Sequence, residues 1–260
     1  MKGATHIALS ITTLLAVLAP FAPDFLNFAS IPYLIIVFLA VFFGCITPDI
    51  DTGRESAIFH AEIPGAKGKR FVLTPLFGYA LCYSCYYPVR KFFHCIFGDK
   101  IYAKGGHREL PHSPLGCLCI SVLLTAYIWL IFAALSLIPP LSFLFNHIYI
   151  YVFGGAYFLG CLFHLIEDSC DNAGVHWFYP FFFTRLRGEL RGDGTELKPR
   201  AYAVILLCVA AGIVTASFTG LIPENGRFVD AILVPAVLWM LFLRASGCPA
   251  VKQQRDNYRR

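Results

Sequence analysis

Six long apolar stretches, each close to the length that a membrane-spanning helix needs, limit this chain to one class of fold. A helix crosses the hydrocarbon core of a bilayer with about 20 mainly apolar residues. Prolines and short polar turns separate the stretches, as expected where helices stop. The stretches are His6–Phe21, Ile31–Thr47, Ser113–Ile138, Ile148–Ile166, Ala201–Ile222 and Phe228–Leu243. The sequence therefore predicts an all-α, polytopic membrane helix bundle with about six spans.

Composition agrees with this prediction. Only 14% of the residues are charged, whereas an ordinary soluble domain is about a quarter charged. The first stretch follows a single lysine and lacks a clean small-residue cleavage site before Pro20, so we expect a retained span rather than a cleaved signal peptide. Most of the ten cysteines lie in apolar stretches, where we expect free thiols packed as small hydrophobic groups.

The distribution of Lys and Arg predicts the orientation. With six spans and both termini in the cytoplasm, 20 of the 21 Lys and Arg residues fall on the cytoplasmic side and only Arg227 falls outside. A further apolar region, residues 71–97, contains two prolines and Arg90-Lys91. Making it a seventh span would divide the basic residues between the two sides, against the positive-inside rule. We therefore expect residues 71–97 to form a cytoplasmic interfacial or re-entrant hairpin.

The net charge of +5 follows from these basic residues beside the spans. They suit membrane topology and anionic lipid headgroups. We find no nucleic-acid-binding motif and predict membrane lipids, not nucleic acid, as partners. The sequence leaves the oligomeric state open.

Four groups of potential metal ligands fall at span ends on the same predicted side. His6 opens the first span; Asp49 and Asp51 follow the second; His107 and His112 precede the third; His164 and Asp168 close the fourth. Because the orientation was assigned from Lys and Arg alone, this convergence is an independent observation. Imidazole and carboxylate groups together bind zinc, manganese or iron. The pattern predicts a divalent-metal site at the cytoplasmic end of the bundle.

Each group also has a simpler interpretation, as a helix cap or a solvated loop residue. His164 and Asp168 are the most specific pair, because residues four apart project from one helix face. Glu167 points about 100° away from Asp168 on a helix, and either supports a ligand or is solvated. Asp171 and His176 could fold back from the following loop, and Arg54 and Arg108 are either phosphate-binding groups or topological anchors.

The ordered motifs resemble a known family. Thr5-His6, Pro48-Asp49-Ile50-Asp51, His107-Arg108-x-x-x-His112-Ser113 and His164-x-x-x-Asp168-Ser169 occur in that order, followed by Gly174-Val175-x-x-Phe178-Tyr179-Pro180-Phe181. The set is similar to the YdjM-like family of membrane-bound, predicted metal-dependent hydrolases, described as LexA-binding and inner-membrane-associated. The resemblance covers about residues 1–185, which it implies are a membrane-embedded hydrolase-like core. Residues 186–260 would then be a two-helix membrane extension with a basic tail.

The resemblance implies an inner-membrane location, a divalent metal and hydrolysis, with a phosphoester or lipid-related compound as substrate. We expect zinc, with manganese or iron as alternatives. The metal ligands are expected among His6, Asp49, Asp51, His112, His164 and Asp168, and the catalytic groups are expected to be His107, Arg108 and Asp51. Two other classes stay open: a metal or proton transporter that uses the same residues, and a non-catalytic scaffold that binds a soluble partner.

Overall fold

The computed structural model describes residues 1, 3–60, 73–98, 110–192 and 195–248. These residues form helices and turns, with no strand assigned within them. Six of the helical segments are long and apolar enough to cross a membrane: Gly3–Leu26, Phe28–Ile46, Pro114–Ser136, His147–Ser169, Lys198–Phe218 and Glu224–Ala245. The predicted all-α fold with six spans is confirmed.

The described part of the chain contains nine α-helices. They are α1 (Gly3–Leu18), α2 (Ile31–Ile46), α3 (Ala57–His60), α4 (Leu73–Leu81), α5 (Tyr87–Phe97), α6 (Pro114–Ser136), α7 (His147–Ser169), α8 (Lys198–Phe218) and α9 (Arg227–Ala245). The start of α6 has a local cause: the Ser113 side chain accepts a hydrogen bond from the Gly116 amide, and Pro114 occupies the first turn. Both are favoured at a helix N-terminus.

Residues 73–97 differ from the expected hairpin. The chain stays helical from α4 through a π-helical turn, Cys82–Tyr86, into α5. The Tyr87 amide bonds to the Cys82 carbonyl, which widens the turn just before Pro88. A π turn re-routes the backbone hydrogen bonds where proline cannot donate one. Pro88 therefore lies at a helix irregularity, and this segment is not among the six candidate spans.

The chain divides into two compact units. One, here called the terminal unit, contains residues 1–32 and 163–260. In its core Tyr202 stacks on Phe242 with ring centroids 4.0 Å apart, and Trp239 donates a hydrogen bond to Thr13. Aromatic burial of this kind holds α1, α8 and α9 together and satisfies the indole N–H.

The other, here called the central unit, contains residues 33–162. Within it α2 and α7 approach closely through glycines: a Cβ at Gly160 would lie 2.6 Å from the Val41 carbonyl oxygen. At the end of α2 the Thr47 hydroxyl hydrogen-bonds the buried Tyr157 hydroxyl at 2.7 Å. This packing fixes the chain just before Asp49 and Asp51.

Candidate metal centre

In the terminal unit, a buried carboxylate orients His6. Glu167, in the last turns of α7, is fully buried, and its Oε2 lies 2.6 Å from Nδ1 of His6. Its Oε1 accepts a 2.7 Å hydrogen bond from the Ser10 hydroxyl, one helical turn after His6. An ionised carboxylate can only accept, so Nδ1 of His6 carries the proton. This assignment leaves Nε2 of His6 as the nitrogen able to bind a cation.

His6 lies beside His164 and Asp168 in the same unit. The two imidazole rings stack with centroids 4.0 Å apart. The Asp168 carboxylate lies 3.4 Å from Nε2 of His6 through Oδ1 and 3.5 Å from Nε2 of His164 through Oδ2. All three side chains are buried. The terminal unit thus places two imidazoles around one buried carboxylate.

The N-terminal amino group also contacts this carboxylate. The Met1 nitrogen lies 3.2 Å from Oδ1 of Asp168 and 3.1 Å from Oδ2 of Asp171. A buried carboxylate needs such compensation, because transfer of an unpaired charge out of water is costly.

In the central unit, His112 lies between two carboxylates. Its Nε2 is 3.4 Å from Oδ1 of Asp49 and its Nδ1 is 3.6 Å from Oδ2 of Asp51. The two aspartates begin a 3₁₀ segment, Pro48–Glu55, which follows α2 directly. His112 is fully buried two residues before α6. The end of α2 therefore positions Asp49 and Asp51, and the start of α6 positions His112.

The charge on His112 reflects these neighbours. Burial alone lowers the pKa of the imidazole, but hydrogen bonding and the negative charges of Asp49 and Asp51 outweigh burial and raise the pKa to about 9. A neutral ring has one N–H and one lone pair, so it cannot donate to both carboxylates. The two carboxylates therefore favour a positive charge at this position, supplied by a second proton on the ring or by a metal ion.

The chemistry of the donors fits a divalent cation. Side chains that could bind a metal ion include the partly exposed Asp49 and the buried His112 in the central unit, and the buried His164 and Asp168 in the terminal unit. In the terminal unit, Nε2 of His6 is buried and makes no well-formed hydrogen bond with the described residues. Mixed imidazole and carboxylate donors suit zinc, manganese and iron, and the residues alone do not select among them.

The predicted site residues fall into three classes. His6, His112, His164 and Asp168 are buried, whereas the side chains of Asp49 and Asp51 keep 15% and 8% exposure. His107 and Arg108 lie outside the described residues, as does the side chain of Arg54. Each unit brings together the predicted ligands that it contains.

The structure also places the secondary candidates from the sequence, Glu167 and His176. Glu167, which the sequence left either supporting a ligand or solvated, is a buried partner of His6. His176 accepts a 2.6 Å hydrogen bond from Nε of Arg185. Ser10 was not a candidate, although its position four residues after His6 on α1 places it on the same helix face. This spacing of four residues was the sequence signal from which a role for Ser10 beside His6 could have been predicted.

Comparison with known proteins identifies the family. The model of the YdjM inner membrane protein family matches residues 1–247. Neither the curated proteins nor the solved structures contain a match. The family match covers the His and Asp motifs and all six candidate spans. This multi-pass chain therefore belongs to the YdjM inner membrane protein family.

Proposed function

We propose that the chain is a membrane-bound, metal-dependent hydrolase whose substrate is a phosphoester or a lipid-related compound at the cytoplasmic membrane face. The observation that carries the proposal is the burial of imidazole and carboxylate groups against one another in each unit, at the ends of membrane-spanning helices. Ionisable groups are costly there and usually functional. Both termini would be cytoplasmic, as the Lys and Arg distribution predicts.

The proposed ligands are those that the sequence predicts for one metal centre. They are drawn from His6, Asp49, Asp51, His112, His164 and Asp168. The sequence supports joint use, because alternating span directions bring these four helix ends to one membrane face. Zinc is our first expectation, and manganese and iron are the alternatives.

Side chains of this protein would orient the metal ligands, accept a proton and bind the phosphoryl group during hydrolysis. When bound, a divalent metal supplies a Lewis acid and lowers the pKa of a coordinated water. Glu167 holds the His6 proton at Nδ1 and so directs Nε2 into the site. Asp51 is the proposed general base, with His107 as a second candidate. Arg108 or Arg54 would neutralise charge on a phosphoryl oxygen, since guanidinium binds phosphate bidentately.

The test is a hydrolysis screen on purified full-length protein with soluble phosphoesters and phospholipids. We expect activity that requires added or retained divalent metal and falls by at least 100-fold in His164→Ala and in Asp51→Ala. His147→Ala is the matched control, because His147 is exposed at the opposite end of α7. Equal hydrolysis in wild type and His164→Ala would remove His164 from the mechanism. Metal flux across vesicles without any hydrolysis would replace the hydrolase proposal with a transporter.

A further inference from the structure

A small cavity lies in the central unit beside Asp51. Its volume is about 170 Å³, below the range of about 300–1,000 Å³ for pockets that enclose a whole drug-sized ligand. A water molecule takes up about 30 Å³ in the liquid, so the cavity has room for roughly five water-sized groups. That is the size of one phosphate group and little more. The residues that give the lining its chemistry are Asp51, Gly53, Tyr79, Tyr83, Tyr87 and Arg90.

The cavity, here called the Asp51–Arg90 cavity, carries opposite charges on two elements. Asp51 follows α2, and its Oδ2 lies 3.6 Å from Nδ1 of His112, so this wall belongs to the candidate metal group. Arg90 comes from α5. Asp51 by itself would repel a phosphate, but with a divalent ion bound to it, as proposed above, the same wall would attract one. Arg90 would then bind the phosphate from the other element.

Tyrosines surround the guanidinium. Tyr79, Tyr83 and Tyr87 line the cavity and are exposed, so they lie at its mouth. The pKa of Tyr87 is raised, first by the neighbouring Cys82 thiol, and the positive charge of Arg90 opposes that rise. The Arg90 charge therefore lies close to the Tyr87 hydroxyl. A phenol can donate a hydrogen bond to a phosphate oxygen, so these side chains add neutral donors to the charged one.

Gly53 forms part of the wall with backbone alone. Its φ of 63° lies in the left-handed region that favours glycine. A Cβ at this position would meet no atom within 4 Å. The chain two residues after Asp51 therefore borders open space instead of packing against a neighbour, and a ligand can approach there.

The helices that carry Arg90 also suit a phosphate at the membrane surface. The stretch from α4 to α5 is not among the six candidate spans. Exposed tyrosines are typical of the headgroup level of a bilayer, where one end of the ring is apolar and the other is wet. Both a soluble phosphoester and a lipid headgroup can present a phosphate at that level.

We propose that Arg90 binds the phosphate of the substrate in the Asp51–Arg90 cavity and holds it against the Asp51 side of the metal group. This inference rests on the proposed function and names the binding residue and the ligand chemistry of its site. Arg54 and Arg108 were the candidates for this role on sequence grounds. Arg90 is an arginine that the described structure places at a cavity together with Asp51.

The test measures binding of radiolabelled inorganic phosphate to purified full-length protein in detergent, with zinc added and again after chelation. Arg90→Ala should weaken binding at least about tenfold, the factor that follows from losing one hydrogen bond between charged groups. Arg90→Lys should be intermediate, because lysine keeps the charge but not the two-point geometry. Lys91→Ala is the matched control, since Lys91 is the next residue of α5, is exposed and lies outside the cavity lining. It removes the same charge and should leave phosphate affinity within about twofold of wild type.

Competition identifies the source of the phosphate. Glycerol 3-phosphate and short-chain phosphatidic acid are each titrated against bound inorganic phosphate. Displacement by both with similar affinity supports a site for soluble phosphoesters, whereas phosphatidic acid that competes at least tenfold better supports the same site with a lipid headgroup. Wild-type protein that binds no phosphate in either zinc condition would overturn the cavity assignment.

A purely structural arginine would behave differently. It would stabilise the fold by neutralising Asp51, so Arg90→Ala would lower the Tm while phosphate affinity stayed at the wild-type value, and that result would overturn the proposal. Should Arg90→Ala fold poorly, Arg90→Gln keeps most of the side-chain length without the charge, and the same loss of phosphate affinity is expected.

The two proposals fail in different ways. Phosphate binding that depends on Arg90, in a protein that hydrolyses no phosphoester, would support the cavity and refute the hydrolase. In an active protein, Arg90→Ala should raise the KM for the phosphoester at least about tenfold with metal content unchanged. A wild-type KM and phosphate affinity in Arg90→Ala would refute the role of Arg90 and leave the hydrolase standing.

Discussion

Replacement of Glu167 tests whether this buried carboxylate prepares His6 for metal binding. Glu167→Ala removes a 2.6 Å contact with Nδ1 of His6 and the acceptor of the Ser10 hydroxyl. A hydrogen bond to a charged group contributes about 1.5–3 kcal/mol, and loss of a group that orients a metal ligand lowers metal affinity by about 10–100-fold. That factor corresponds to about 1.4–2.8 kcal/mol, so the two estimates agree.

Glu167→Gln should weaken binding less, because the amide oxygen can still accept from Nδ1 but carries no charge. Ser10→Ala should have the smallest effect, about 0.5–1.5 kcal/mol, since the carboxylate keeps its contact with His6. The assay is competitive zinc titration against a chelator on the purified protein, with Glu224→Gln as the matched control at an exposed glutamate. Zinc affinity in Glu167→Ala equal to that of wild type, in a protein that unfolds at the wild-type temperature, would refute the orienting role.

Two further predictions concern the packing of the central unit. Gly160→Ala should destabilise the protein by about 1–3 kcal/mol, because its Cβ would lie 2.6 Å from the Val41 carbonyl oxygen and the backbone there cannot shift easily. Thermal unfolding in detergent measures this loss of stability. Gly212→Ala, whose Cβ would meet no atom within 4 Å, is the control and should leave the stability nearly unchanged. Tyr157→Phe should cost about 1 kcal/mol, since it removes the hydrogen bond to Thr47 at the end of α2. A Tm unchanged within error in either variant would contradict the packing described.

The six spans could be predicted from sequence because hydrophobic length is a local property. The pairing of His164 with Asp168 was also local, because residues four apart share a helix face. Their contacts agree with that spacing. The Lys and Arg distribution gave an orientation that remains a prediction.

Other features depended on tertiary packing and could not be read from the chain. Glu167 does point away from Asp168, as helix geometry requires, but its face meets α1, where His6 and Ser10 provide partners. The contact of His112 with Asp49 and Asp51 likewise joins residues 63 and 61 positions apart in the chain. The hairpin expected over residues 71–97 came from the Lys and Arg distribution, whereas a π-helical turn just before Pro88 keeps residues 73–97 helical.

Metal stoichiometry of the purified protein tests the proposed centre most directly. Elemental analysis of full-length protein after removal of loosely bound ions should find about one divalent ion per chain. His164→Ala, from the terminal unit, and Asp49→Ala, from the central unit, should each lose it, while the His147→Ala control keeps it. Wild-type protein that binds no divalent ion, or variants that retain the wild-type amount, would contradict a metal centre that uses these predicted ligands.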